Sequence, residues 1–180
     1  MDFPDSDQPV ETMWTGKFIV AKRQGRWEYV GRARGIHAAV ILAIDEGADG
    51  RHVLLVDQPR VPLGARCIEL PAGLVGDETA GEAIDVAAAR ELEEETGYRA
   101  ARIEIIGRFA SSPGMVSETF TLVRAHGLEK IGPGGGVDGE DIVVHRVPIA
   151  GIADFLAAKR TEGYYMDVKL LALLGPGLLG

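Results

Sequence analysis

The chain has 180 residues, 46% of them hydrophobic, and a formal charge of −8 at pH 7; this fits one domain with a substantial core and argues against a nucleic-acid-binding surface, which needs a basic face. The single cysteine, Cys67, excludes an intrachain disulfide and fits a reducing compartment. The acidic start MDFPDSDQPVE lacks the order of a signal peptide, and no apolar run approaches the ~18 residues of a membrane span, LLALLGPGLLG being interrupted by Gly and Pro, so a soluble, cytoplasmic protein with no membrane or nucleic-acid partner is expected.

Residues 1–12 are polar and read as a flexible tail. Within 13–35, GKFIVAKR and RWEYVGR are β-like runs on either side of Gln24-Gly25, and a hairpin is the simplest reading. HAAVILAI (37–44) and HVLLVDQ (52–58) are continuous apolar runs of the kind buried strands show. GARCIELPAG leads into a loop, and ETAGEAIDVAAARELEEETG has helical composition, with Thr79 and Glu82 spaced as a capping box and Gly97 as the stop. Three further β-like runs follow, IEIIGRF, TFTLVRA and DIVVHRVP, and then two helical ones, IADFLAAKR and MDVKLLALL. Helices inserted among many strands, without regular alternation, predict an α+β fold or a mixed-sheet sandwich. IGPGGGVDGED (131–141) reads as a mobile loop.

The end of the long helix is chemically odd. RELEEETGY (90–98) gathers carboxylates where the helix dipole is already negative. At about 100° per residue, Glu91, Glu94 and Glu95 share a sector about 100° wide, and Glu93 points away. A solvated acidic face is the commonest reading of such a run. Against it, the rest of this helix is apolar around much of its circumference, and Arg90 is its one basic residue. A hard divalent cation resolves the conflict, since Mg²⁺ takes oxygen ligands and bridges carboxylates to substrate phosphates.

Gly76, Glu82, Arg90-Glu91-Leu92, Glu94-Glu95 and Gly97-Tyr98, at these spacings over 23 positions, resemble the Nudix box, with Tyr98 departing from the aliphatic residue usual at the last place. The resemblance implies a Nudix hydrolase, an α/β/α sandwich around a mixed sheet. Such enzymes cleave a nucleoside diphosphate linked to another group, using two or three Mg²⁺ ions, with Mn²⁺ as a substitute. Carried over by position, Glu91 and Glu95 are the principal metal ligands and Glu94 is a further ligand or a general base. Glu82 is structural through its cap, and Arg90 steadies the carboxylates. In many relatives the box glycine follows Pro-Ala; here that is Gly73, which leaves Gly73 and Gly76 as alternatives and makes the Ala72 carbonyl an extra ligand.

Several segments further resemble the ADP-ribose pyrophosphatase branch: PRVPLGARCIELPAG, and SSPGMVSET with Pro113 sixteen residues beyond Gly97. GDP-mannose hydrolases share much of this pattern, so another nucleotide sugar is the alternative substrate, and a non-catalytic nucleotide-sensing module the remote one. The resemblance implies that Trp27 stacks on the base, that Arg32 contacts the nucleotide and that Arg60 holds the diphosphate. Glu118 would meet the terminal ribose. Each has a plainer reading, as a strand aromatic, a surface charge, a loop cap or a strand start. Glu140, on the glycine-rich loop beside Asp138 and Asp141, is the expected base or additional ligand, brought in as the loop swings. Relatives in this branch are homodimers with exchanged N-terminal strands, which would carry Trp27 and Arg32 into the partner's site.

Overall fold

The structure, a computed structural model, describes residues 4–33, 37–76, 81–137 and 139–179, with the backbone alone at 176–179. Eleven strands and three α-helices make up the described residues. Strands β1 (Val10–Thr15), β2 (Ile19–Gln24) and β3 (Trp27–Arg32) form a separate antiparallel sheet in that order. The expected hairpin is β2–β3, turning at Gln24↔Trp27. The strand β1 begins at Val10, inside the stretch read as a tail.

The main sheet is mixed. Its strands are β4 (His37–Gly47), β5 (Gly50–Arg60), β6 (Ala65–Glu69), β7 (Ala72–Val75), β8 (Tyr98–Ala110), β9 (Thr119–Lys130), β10 (Val143–Pro148) and β11 (Tyr165–Met166). They run β11-β6-β5-β4-β9-β8, with β10 also paired to β5 and β7 to β4. The pairs β4·β9 and β6·β11 are parallel and the rest antiparallel. GARCIELPAG thus holds two strands where a lead into a loop was expected, because Ala65–Glu69 continues the β5 ladder out to Arg60.

Helix α1 (Ile84–Thr96) covers one face, and α2 (Ile152–Thr161) with α3 (Leu171–Leu179) covers the other. The apolar runs of β4 and β5 are continuous because successive side chains must serve both layers. Ala39, Ile41, Ala43 and Leu54 pack with Ala88 and Leu92 of α1. Val40, Val53 and Leu55 pack with Ile152 and Leu156 of α2. This is the expected α/β/α sandwich. Tyr98 is buried in the first of these clusters, where an aromatic ring serves as well as an aliphatic chain.

The long helix starts later than its composition predicts. Its N-cap is Ala83, with no side-chain cap, so Glu82 forms no capping box; Thr79 lies outside the described residues. Glu82 accepts instead from Arg90, Nε to Oε1 at 3.4 Å. Termination is as expected: Gly97 takes φ +71° and donates to the Glu93 carbonyl. A side chain there would overlap the Gly132 backbone.

Candidate active site

A cavity of about 590 Å³ opens where β3, the β5–β6 pair, β7 and α1 converge. At its acidic side Glu91 and Glu95 project from the last turns of α1 beside Ala72 and Gly73. Glu95 is only 5% exposed, and its Oε2 accepts from the Ala72 amide at 3.0 Å. Burial pushes its pKa up to about 8, with the nearby charges of Glu91, Glu140 and Glu69 adding to the rise and the Ala72 amide opposing it. Glu91 pairs with Arg90 Nη1 at 3.1 Å. A Cβ on Gly73 would overlap the Glu91 carboxyl group, so β7 needs glycine here for α1 to dock. Gly76 is required for a different reason, its φ of +83°. Both glycines are thus explained, and Gly73 is the one within the cavity.

Glu94 departs from expectation. Although it shares a helical sector with Glu91 and Glu95, it does not line the cavity. Its carboxylate accepts from Arg90 Nη1 at 3.1 Å, one turn back. Arg90 therefore gathers Glu82, Glu91 and Glu94, as a residue that steadies carboxylates would.

The glycine-rich segment explains how the helix end tolerates its own carbonyls. Gly135 N donates to Glu95 O at 2.8 Å and Gly136 N to Glu94 O at 3.0 Å, satisfying acceptors that a helix terminus leaves open. Residues 131–137 are thereby bound to α1, where a freely swinging loop was expected. Glu140 follows at the cavity rim, its carboxylate accepting from Val137 N at 3.0 Å. Asp138 lies outside the described residues. Asp141, with φ +52°, turns away from the cavity to Arg66.

Two arginines also line the cavity, each paired with a carboxylate. Arg60 forms a two-point pair with Glu69, Nε to Oε1 at 2.6 Å and Nη2 to Oε2 at 2.7 Å, which raises the guanidinium pKa further. Arg32 donates to Glu118 Oε1 at 2.6 Å. The N-terminal sheet brings it there by docking on the 111–118 loop, with Val30 N donating to Met115 O and Ser117 N to Val30 O. Arg32 therefore lines the cavity of its own chain. Trp27 does not: it is 48% exposed and off the cavity wall, because five strand residues place it about 16 Å from Arg32.

Sequence reasoning missed Gln58, Cys67, Glu69, Phe120, Asp167 and Lys169, which also line the cavity. Strand alternation was the available signal for two of them, since reading ARCIE as a strand puts Cys67 and Glu69 on one face. Asp167 and Lys169 carried no such signal. Burial pushes the Cys67 thiol up to about 12, which makes it inert.

The residues present suit a hard cation. The cavity wall carries more carboxylates (Glu69, Glu91, Glu95, Glu118, Glu140 and Asp167) than cations (Arg32, Arg60 and Lys169), and Glu95 holds its charge at a cost that a cation would remove. Among the described residues no three acidic, His or Cys side chains close a complete cage. A bound ion would thus draw on oxygens besides those side chains, as Mg²⁺ does when it keeps waters and binds substrate phosphates.

The NUDIX domain model matches residues 34–150. The Methanol dehydrogenase activator of Bacillus methanolicus is 38% identical over 106 residues, covering 59% of this chain and 54% of that protein. An ADP-ribose pyrophosphatase of Mycobacterium tuberculosis is 35% identical over 117 residues, 64% of this chain and 54% of that one. The chain thus spans about half the length of these curated relatives. A solved structure described as an ADP compounds hydrolase has the same fold, with a TM-score of 0.66 at 22% identity over 96% of this chain and 92% of that one. With the domain match covering well over half of the sequence, and the motif helix delivering Glu91 and Glu95 to a cavity, the chain belongs to the Nudix family.

Proposed function

We propose that this chain is a divalent-cation-dependent hydrolase of nucleoside diphosphates linked to another group, acting on ADP-ribose to release AMP and ribose 5-phosphate. The observation that carries this reading is one cavity lined by an acidic pair, the partly buried Glu91 and the buried Glu95, together with Arg32 and Arg60. An anionic substrate entering so acidic a cavity needs added positive charge. The likeness to an ADP-ribose pyrophosphatase supports the choice of substrate.

Glu91 and Glu95, with the backbone carbonyl of Ala72, would hold Mg²⁺ ions, or Mn²⁺ in their place. Ions held there would supply positive charge against the diphosphate and acidify a nearby water. The remaining work falls to side chains. Arg60 presents a guanidinium already aligned by Glu69, and this planar fork suits a phosphate. Arg32, aligned by Glu118, orients the nucleotide. Glu140 lines the cavity and Glu94 does not, so Glu140 is the group placed to accept the water's proton. Two chains are proposed to associate, with Trp27 stacking on the base in the partner's cavity. The apolar side chains that the N-terminal sheet exposes, among them Met13, Trp14 and Phe18, support this arrangement.

The deciding experiment is a panel of nucleoside diphosphate sugars assayed with Mg²⁺ and with EDTA, with the products identified. ADP-ribose is expected to give AMP and ribose 5-phosphate with Mg²⁺ and nothing in EDTA. Turnover of GDP-mannose far above that of ADP-ribose would displace this substrate assignment.

A further inference from the structure

Three cations line the cavity, Arg32, Arg60 and Lys169. The two arginines come from strands that precede the motif, β3 and β5; Lys169 comes from the C-terminal part of the chain. Strand β11 lies parallel to β6, Tyr165 beside Cys67 and Met166 beside Ile68. Asp167 N donates to Ile68 O at 3.0 Å, and the chain then tightens into a 3₁₀ turn, Val168–Leu170, with Asp167 as its N-cap. Asp167 Oδ1 accepts from Lys169 N at 2.7 Å and Oδ2 from Lys169 Nζ at 2.6 Å. The ammonium also stands 5.5 Å from the centre of the Phe120 ring. Both side chains are 20% exposed. A lysine ordinarily extends its ammonium into water; this one is folded back into the cavity wall and fixed there by a carboxylate.

We propose that Asp167 and Lys169 form a subsite for a vicinal diol of the substrate's sugar, Lys169 donating to one hydroxyl and Asp167 accepting from its neighbour. This rests on the nucleotide-sugar reading above. Lys169 directs one of its three N–H bonds to Asp167, and each carboxylate oxygen keeps a lone pair after its existing bond. The pair therefore offers a donor beside an acceptor. A phosphate only accepts and leaves Asp167 without a donor; a hydroxyl both donates and accepts, so neighbouring hydroxyls can meet both members of the pair. Such hydroxyls come from two places, the nucleoside ribose and the group beyond the diphosphate.

The test compares the parent protein with Lys169→Met, which retains the contact with Phe120 but loses the donors. The ligands are ADP-ribose, its analogue without hydroxyls on the adenosine ribose, and ADP methyl ester, which has no terminal sugar. Affinity is read by calorimetry with Mg²⁺ on the same ligands carrying a methylene group in place of the bridging oxygen of the diphosphate, which blocks hydrolysis, and KM and kcat are read with Mg²⁺ on the unmodified ligands. Lys169→Met is expected to weaken ADP-ribose binding about tenfold, as for a lost hydrogen bond to a charged group, with kcat little changed. It should leave one analogue unaffected, and that analogue identifies the hydroxyls. Lys169→Arg, which keeps a donor, should restore most of the affinity and guards against a fold defect in the methionine variant. Equal losses on all three ligands, no loss on any, or a parent protein that binds none of them would overturn the subsite. A hydroxyl-dependent loss of binding in a protein that never hydrolyses ADP-ribose would uphold the subsite and remove the hydrolase assignment alone.

Discussion

Glu95 links the stability of the native chain to its chemistry. Burial holds its pKa at about 8 in the folded protein, against an ordinary value of 4.5. Between those values the native chain binds a proton that the unfolded chain has already released, so stability falls as pH rises through that window, and the full cost is reached above pH 8. A cation binds the deprotonated carboxylate and competes with the proton. In EDTA, Tm is therefore expected to decline between pH 5 and pH 8.5. The rise in Tm produced by millimolar Mg²⁺ should grow over the same range. Glu95→Gln removes the titrating group and should flatten both trends in a calorimetric scan; a variant that keeps the parent's slope would show that another group sets it. The positions of Glu91 and Glu95 were legible in the sequence because a helical repeat fixes which side chains share a face. That Glu94 would pair with Arg90 off the cavity wall was not legible, since a shared helical sector does not fix where the cavity edge falls.

At the scale of elements, the cavity depends on a network behind it. Asp57 on β5 is 1% exposed, and its carboxylate accepts from Arg66 of β6 and from His145 Nε2 of β10 at 2.5 Å. Arg66 also reaches Asp141, Nη1 to Oδ2 at 2.7 Å and Nη2 to the carbonyl at 2.8 Å. One guanidinium thus ties the sheet to the residue that follows Glu140. Arg66→Met leaves a buried carboxylate without its cation and is expected to cost about 3 kcal/mol, read from urea unfolding. Adding Asp57→Asn should recover part of that loss, because the uncompensated charge is gone. A single variant within about 0.5 kcal/mol of the parent would mean that the network carries no load. Two of the strands holding this network, β5 and β10, were legible from their apolar runs. The start of α1 was not, because its N-cap, Ala83, lacks the polar side chain that marks a helix start. Nor was β6, whose mixed composition makes sense only beside β5.

At the scale of the molecule, the N-terminal sheet contributes to the cavity with one end and leaves the other in solvent. Arg32 is in place, whereas Trp27, half exposed, does not line its own chain's cavity. The resemblance implied a partner's cavity for both residues, and spacing along a strand says nothing about which chain the strand serves. In the proposed dimer only the tryptophan crosses over. Two defective variants distinguish this from a role within one chain. Trp27→Ala should weaken base stacking in the partner's cavity, and Glu95→Gln should disable the acidic pair in its own. A mixed dimer then contains one cavity in which both residues are intact. After subunit exchange, equal mixing should restore about a quarter of the parent's activity, since half of the dimers are mixed and each has one working site of two. If Trp27 acts within its own chain, or if sedimentation shows only monomer, mixing restores nothing beyond the sum of the two variants. The exposed aromatic face of the N-terminal sheet would then need a different partner.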